Sequence, residues 1–108
     1  MAGNLGIAFV KHNRSRTTAD GREQAVKMLG NFLGSIEGSV PGLRGYAILE
    51  NRSDPQELLV LTFWKSPEEM DEFYSPANRR LQGFLEASGH LLEQLPTRTD
   101  YRADEFVL

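Results

Sequence analysis

Residues 57–80 constrain the fold of this chain more than any other part of its sequence. An apolar run ends in the only tryptophan, Trp64, and two helix starts follow in quick succession. Ser66-Pro67-Glu68-Glu69 places a hydroxyl three residues before a carboxylate, with proline at the first helical position, which is a capping box. Ser75-Pro76 repeats the device without the glutamate. The pattern predicts a strand over residues 57–65 and helices over 67–74 and 76–95.

The remaining elements follow from periodicity and turn signals. Alternation predicts strands over residues 5–12, 43–51 and 97–108, with a loop over 14–20. Helical spacing of apolar residues predicts a helix from about residue 18 to 38, with Asp20-Gly21-Arg22-Glu23 as its capping box. Pro96 is expected to end the last helix. The order β-α-β-β-α-α-β predicts a ferredoxin-like α+β fold, with an antiparallel sheet and helices on one face.

The third predicted strand is apolar on both of its faces. Its alternating positions are Leu58, Val60, Thr62 and Trp64 on one side, and Leu59, Leu61 and Phe63 on the other. The helices can cover only one of these faces. Exposing the other apolar face to water would cost several kcal/mol, at about 25 cal/mol per Å² of apolar area. The sequence therefore predicts a homodimer that packs sheet to sheet.

Composition narrows the class of protein. The 108 residues carry a net charge of −3 and are expected to form a single domain over residues 1–108. Without clustered lysine or arginine, nucleic acid is not an expected partner. No apolar segment reaches the length of about 18–20 residues that spans a bilayer, and no signal peptide is evident. The chain has no cysteine, so the expected location is cytoplasmic.

Several motifs together resemble the antibiotic biosynthesis monooxygenase family. They are Val40-Pro41-Gly42-Leu43, the strand exit Phe63-Trp64-Lys65-Ser66, and Ser75-Pro76 before the next helix. The resemblance covers about residues 7–95. It implies a dimeric α/β barrel, which agrees with the dimer predicted above. It also implies an activity, since members include cofactor-independent oxygenases of aromatic polyketides and quinols, and haem-degrading enzymes.

The resemblance to the haem-degrading members is incomplete. Those enzymes carry an asparagine on the first strand, an aromatic residue on the first paired helix and a haem-ligating histidine on the second. The aromatic position resembles Phe73, but the histidine position falls at Gly83, and Asn13 lies at the end of the predicted strand. Haem binding or degradation is therefore an alternative that needs His90 or His12, the only histidines, as the axial ligand.

The resemblance to the anthrone oxygenases is also partial. Their tryptophan resembles Trp64, whereas their polar strand residue and their helix tyrosine are replaced here by Val60 and Met70. Trp64 could form a pocket wall for a flat substrate or could cap the core where the strand meets the helix. His12 could act as a base toward a phenol, or could be a half-solvated residue at a strand end.

The leading hypothesis is a cofactor-independent monooxygenase that acts on a small anthrone-like or quinol-like aromatic molecule. The alternatives are the haem protein and a non-catalytic dimeric module that binds a ligand. No metal site and no cofactor are expected. The candidate catalytic residues are His12, Trp64 and Tyr74, and the candidate substrate-binding residues are Thr62, Phe73 and Tyr46.

Overall fold

The computed structural model describes residues 6–107 and has the β-α-β-β-α-α-β order of a ferredoxin-like α+β fold. The strands form one antiparallel sheet in the order β2-β3-β1-β4, and the helices pack on one face of it. No helix within these residues is long and apolar enough to cross a membrane. The elements are β1 Phe9–Thr17, α1 Arg22–Ile36, β2 Leu43–Asn51, β3 Asp54–Trp64, α2 Pro67–Phe73, α3 Arg79–Ser88, the 3₁₀ turn Gly89–Leu91 and β4 Leu92–Arg102.

The two strands at the ends of the chain differ most from their predicted bounds. β1 begins at Phe9 and ends at Thr17, so it includes the first part of the stretch 14–20 that was predicted as a loop. Leu5, where the strand was expected to begin, lies outside the described residues. β4 begins at Leu92, five residues before the predicted start at residue 97, and ends at Arg102. Pro96 lies inside β4 rather than at a helix end. It is tolerated there because β4 is an edge strand of the sheet.

The helix starts agree with the sequence at α2 and differ at α1 and α3. Ser66 caps α2 as predicted, since its hydroxyl accepts the Glu69 N–H at 3.4 Å and Pro67 is the first helical residue. Gly21 precedes α1, and no side-chain bond caps that helix. α3 begins at Arg79, capped by Asn78, whose side-chain oxygen accepts the N–H groups of Arg80 and Leu81. Ser75-Pro76 forms the turn before that cap.

The core lies between the helices and one face of the sheet. Trp64, Ile36 and Met70 are its largest fully buried apolar side chains. The opposite face, which we call the open face, carries Leu59, Leu61 and Phe63 of β3 in half-buried positions. Phe106 of the C-terminal segment packs against Phe63, with ring centroids 5.4 Å apart. The alternation predicted for β3 therefore places a buried set toward the helices and an apolar set on the open face.

We expect Gly42→Ala to destabilise the fold more than Gly38→Ala. Both glycines have positive φ, +80° at Gly42 and +81° at Gly38, so an alanine at either costs about 1–2 kcal/mol in backbone conformation. A Cβ at Gly42 would also lie 2.8 Å from Glu69 Cβ, whereas a Cβ at Gly38 has nothing within 4 Å. Overpacking adds about 1–3 kcal/mol. Urea unfolding checks this, and equal losses in the two variants would contradict it.

Candidate functional site

A cavity between the sheet and the helices is the candidate site. Its volume is about 70 Å³, and the space free of protein atoms is about 660 Å³ when the open solvent at its mouth is included. Most of its wall is apolar, and Phe32 of α1 stacks on Phe84 of α3 at 4.4 Å between ring centroids. Leu33, Leu81 and Phe73 also line it. Flat apolar molecules fit such a wall, because aromatic rings offer large contact area at little entropic cost.

One end of the cavity is polar, and its side chains form a continuous hydrogen-bonded chain. We call Asn13, Thr62, Tyr74 and Arg98 the polar end; all four line the cavity. The Thr62 and Tyr74 hydroxyls lie 2.8 Å apart. Asn13 donates from Nδ2 to the Tyr74 hydroxyl at 3.3 Å, and Arg98 Nε donates to Asn13 Oδ1 at 3.1 Å. β1, β3 and β4 and the residue that follows α2 thus each contribute one group.

Trp64 is adjacent to this chain but is not part of the cavity wall. Its side chain is fully buried, and its ring packs against Phe73 and Tyr74 with centroids 5.4 Å and 6.2 Å away. The indole Nε1 donates to Thr62 Oγ1 at 2.8 Å. The sequence left open whether Trp64 forms a pocket wall or belongs to the core, and the structure places it in the core. Trp64 acts on the cavity through the orientation that it gives to Thr62.

The two hydroxyl groups of the polar end have one proton more than their mutual hydrogen bond needs. Thr62 accepts from the indole, which can only donate, and Tyr74 accepts from the Asn13 amide. The contact between the Thr62 and Tyr74 oxygens uses one of their two hydroxyl protons. The other hydroxyl proton is left to donate, and both residues line the cavity. The polar end can therefore donate a hydrogen bond to an oxygen atom of a ligand.

Two cations lie beside the Tyr74 ring. Lys11 Nζ is 4.8 Å from the ring centroid and forms an ion pair with Asp100, and Arg98 Cζ is 4.9 Å from the centroid. Burial raises the pKa of the Tyr74 phenol, and the nearby Asp100 carboxylate adds to that rise. The hydrogen bonds from Thr62 and Asn13 and the Arg98 charge oppose it. Tyr74 is therefore a neutral hydrogen-bond donor at neutral pH.

His12 does not join the other predicted catalytic residues. In the strand register it lies opposite Leu61 of β3 and Thr99 of β4, so its side chain is on the open face. Its ring packs edge-on against Tyr101, with centroids 6.1 Å apart. Its Nδ1 is buried without a hydrogen-bond partner among the described residues. His12 was predicted as a catalytic residue with Tyr74, but the register places it on the open face, away from the cavity that Tyr74 lines.

Tyr46 and His90 also lie away from the cavity wall. Tyr46 is half-buried on β2, with its hydroxyl 3.7 Å from where a Cβ on Gly34 of α1 would lie. His90 is exposed in the 3₁₀ turn, and neither histidine lines the cavity. Within residues 6–107, no three His, Asp or Glu side chains are grouped so that they could hold a metal ion. Thr62, Phe73 and Tyr74 are the predicted residues that the structure brings together in the cavity.

Neither Asn13 nor Arg98 was among the site residues predicted from the sequence, although Asn13 was compared with the first-strand asparagine of the haem-degrading members. The period of two along β1 places Asn13 on the same face as Lys11, opposite Val60 of β3 and Arg98 of β4. That period could have been followed past His12, but the polar run from Asn13 to Arg16 is typical of a loop. No sequence signal marks Arg98, because its place depends on the pairing of β4 with β1.

Together, the antiparallel sheet, the helices on one side of it and the cavity between them define a small α+β protein with a candidate ligand cavity that opens to solvent. The family model for antibiotic biosynthesis monooxygenase matches residues 8–80. The chain therefore belongs to the antibiotic biosynthesis monooxygenase family. No curated protein is similar enough to count as a relative.

Solved structures share the fold at low sequence identity. A protein of Chloroflexus aurantiacus J-10-fl that is described as an antibiotic biosynthesis monooxygenase is 19% identical to this chain. The match covers 87% of this chain and 90% of that chain, with a TM-score of 0.66. Rv0793 from Mycobacterium tuberculosis is 19% identical over 86% and 91%, with a TM-score of 0.69. A conserved protein from Methanosarcina mazei Go1 is 13% identical over 92% and 95%, with a TM-score of 0.73. At these identities the likeness concerns the fold.

We expect the free energy of unfolding to fall as pH rises above about 10, and Tyr74→Phe to remove part of that fall. Below the ordinary tyrosine pKa of 10.0, the phenol is neutral in both states. Above it, the unfolded chain ionises Tyr74 first, because burial raises the pKa in the folded protein. Urea unfolding of both proteins from about pH 8 to about pH 11 measures the difference. Identical pH dependence in the two proteins would contradict the burial of this phenol.

Proposed function

We propose that this protein is a cofactor-independent oxygenase that oxidises a planar aromatic molecule of the anthrone or hydroquinone type in the cavity. The observation that carries the proposal is the polar end, where a hydroxyl proton of the Thr62–Tyr74 pair is left for a ligand oxygen beside an aromatic wall. Membership of the family supports the reaction class. We place the activity in the cytoplasm, with which the absence of cysteine is compatible.

The reaction begins with loss of a proton from the substrate, which gives a carbanion or phenolate. This anion passes one electron to O₂, and the substrate radical and superoxide combine to form a C–O bond. For an anthrone, loss of water from the resulting hydroperoxide gives the quinone, so that one O₂ yields one quinone oxygen and one water. The protein binds the flat ring system and donates a hydrogen bond to the anionic oxygen.

The residues of the polar end have separate roles in this scheme. The hydroxyls of Tyr74 and Thr62 face the ligand, and the buried Trp64 indole fixes the direction of the Thr62 hydroxyl. Asn13, on β1, donates a hydrogen bond to the Tyr74 hydroxyl and holds it in place. No His, Asp or Glu is among the described residues that line the cavity, so the substrate proton passes to water at the open mouth.

We expect Tyr74→Phe to lower kcat for O₂ consumption about 10- to 100-fold, because it removes a hydrogen-bond donor to the developing oxyanion. An oxygen electrode measures uptake with a panel of anthrones and naphthohydroquinones in chelator-treated protein. Tyr101→Phe is the matched control, because that ring is about half exposed on the open face. Its kcat is expected to stay within about twofold of the wild-type value.

Two outcomes would count against the oxygenase. Wild-type protein that consumes no O₂ above the uncatalysed rate across the panel would refute the proposed reaction. Equal rates in wild type and Tyr74→Phe would refute the role of the polar end. Binding of the same molecules without O₂ uptake would instead favour a non-catalytic ligand-binding module.

We also propose that the open face pairs with a second copy of the chain. Leu59, Leu61 and Phe63 run along the middle of this face, and Leu49 and Tyr101 extend it, with 40% and 52% of their surfaces exposed. Contiguous apolar surface of this kind is typical of a protein interface. Dimer formation would bury it through the hydrophobic effect.

Leu61→Glu is expected to convert a wild-type dimer into a monomer in sedimentation velocity at micromolar concentration. A carboxylate at the centre of the open face would be desolvated without a partner in the paired sheets. Ala87→Glu, at an exposed position of α3 on the helix side, is the control and should remain dimeric. A monomeric wild type would overturn the proposed pairing, as would a dimeric Leu61→Glu protein.

A further inference from the structure

We infer that Arg98 makes the cavity selective for a ligand that carries one negative charge, such as a carboxylate or phenolate on a flat apolar body. The inference deepens the proposed function and rests on it only in taking the cavity as the ligand site. It concerns which molecules bind, whether or not they are then oxidised. The shared chemistry of the two ligand groups is an anionic oxygen attached to an aromatic ring.

Arg98 is the only charged residue among the described residues that line the cavity. Its charge has no ion-pair partner within residues 6–107, where its one hydrogen bond is from Nε to Asn13 Oδ1. The nearest carboxylate along β4 belongs to Asp100, which forms its ion pair with Lys11 instead. The cavity therefore has a local positive charge at its polar end.

The Nε bond to Asn13 leaves both terminal amino groups of Arg98 available. These groups present N–H donors in a planar fork, which matches the two oxygens of a carboxylate. The guanidinium is half-buried, so water solvates it while the cavity is empty. A ligand that enters displaces some of that water. A neutral apolar ligand would leave the charge poorly solvated, whereas an anion compensates it.

A purely structural role for Arg98 makes a different prediction. The guanidinium braces Asn13 and lies over the Tyr74 ring, 4.9 Å from its centroid. If bracing were its only role, replacing Arg98 would weaken the binding of neutral and anionic ligands alike. If the charge recognises the ligand, the replacement removes the preference for the anion. The ratio of two affinities therefore separates the two roles.

The test compares 2-naphthoate with its neutral isostere 2-naphthamide, using isothermal titration calorimetry. Wild type should bind the carboxylate about tenfold or more tightly than the amide, as a charge-assisted hydrogen bond provides. Arg98→Gln should weaken naphthoate binding about tenfold and change naphthamide binding less than about twofold. Arg102→Gln is the matched control, since Arg102 lies on the same strand with 75% of its side chain exposed.

Equal affinity of the wild-type protein for the two probes would overturn the inference without any variant. Equal weakening of both probes in Arg98→Gln would overturn it in favour of a bracing role. Arg98→Lys, which keeps the charge and loses the fork, should retain part of the preference. O₂ uptake with a neutral anthrone is a separate readout. If the protein consumes no O₂, the oxygenase is refuted and the inference about Arg98 stands. If wild type does not discriminate naphthoate from naphthamide, the inference is refuted and the oxygenase stands.

Discussion

The hydrogen bond from the Trp64 indole to the Thr62 hydroxyl is the interaction on which the candidate site depends. A fully buried indole N–H requires an acceptor, and Thr62 Oγ1 at 2.8 Å is that acceptor. The bond fixes the hydroxyl of a side chain that also lines the cavity and contacts Tyr74 at 2.8 Å. The core and the cavity therefore share atoms. The site gains its rigidity from packing that the fold requires in any case.

The cations near Tyr74 outnumber the carboxylates, and this excess makes the polar end of the cavity positive. Two cations, Lys11 and Arg98, lie within 5 Å of the ring centroid, but one carboxylate, Asp100, pairs with only the first of them. The ion pair with Asp100 satisfies Lys11, which is almost fully buried and does not line the cavity. Arg98 has no carboxylate partner among the described residues and lines the cavity. A buried charge with an ion-pair partner and a half-buried charge without one among the described residues thus lie near the same phenol.

The segment with strong local signals was predicted from the sequence, and the residues placed by strand pairing were not. Pro67 and Ser66 set the start of α2, and Thr62 and Tyr74 reach the cavity from the strand before it and the residue after it. Arg98 arrives through the β1–β4 register, which no local pattern encodes. The helical spacing of leucines predicted that the last helix continues to residue 95, but α3 ends at Ser88. There the chain leaves α3 for an edge strand that accommodates Pro96.

The composition of the cavity wall limits the chemistry that is available to the proposed oxygenase. Neutral hydroxyls, an amide and one guanidinium form the polar end, and no histidine or carboxylate joins them among the described lining residues. Such a set stabilises an anion but does not remove a proton at neutral pH. Because His12 lies on the other face of the sheet, it cannot supply that step. In the proposed oxygenase the acidity would come from the substrate itself, which favours phenols and anthrones, whose anions are delocalised over the ring system. Catalysis in this chain would then rest on binding the anion near O₂ rather than on general base catalysis.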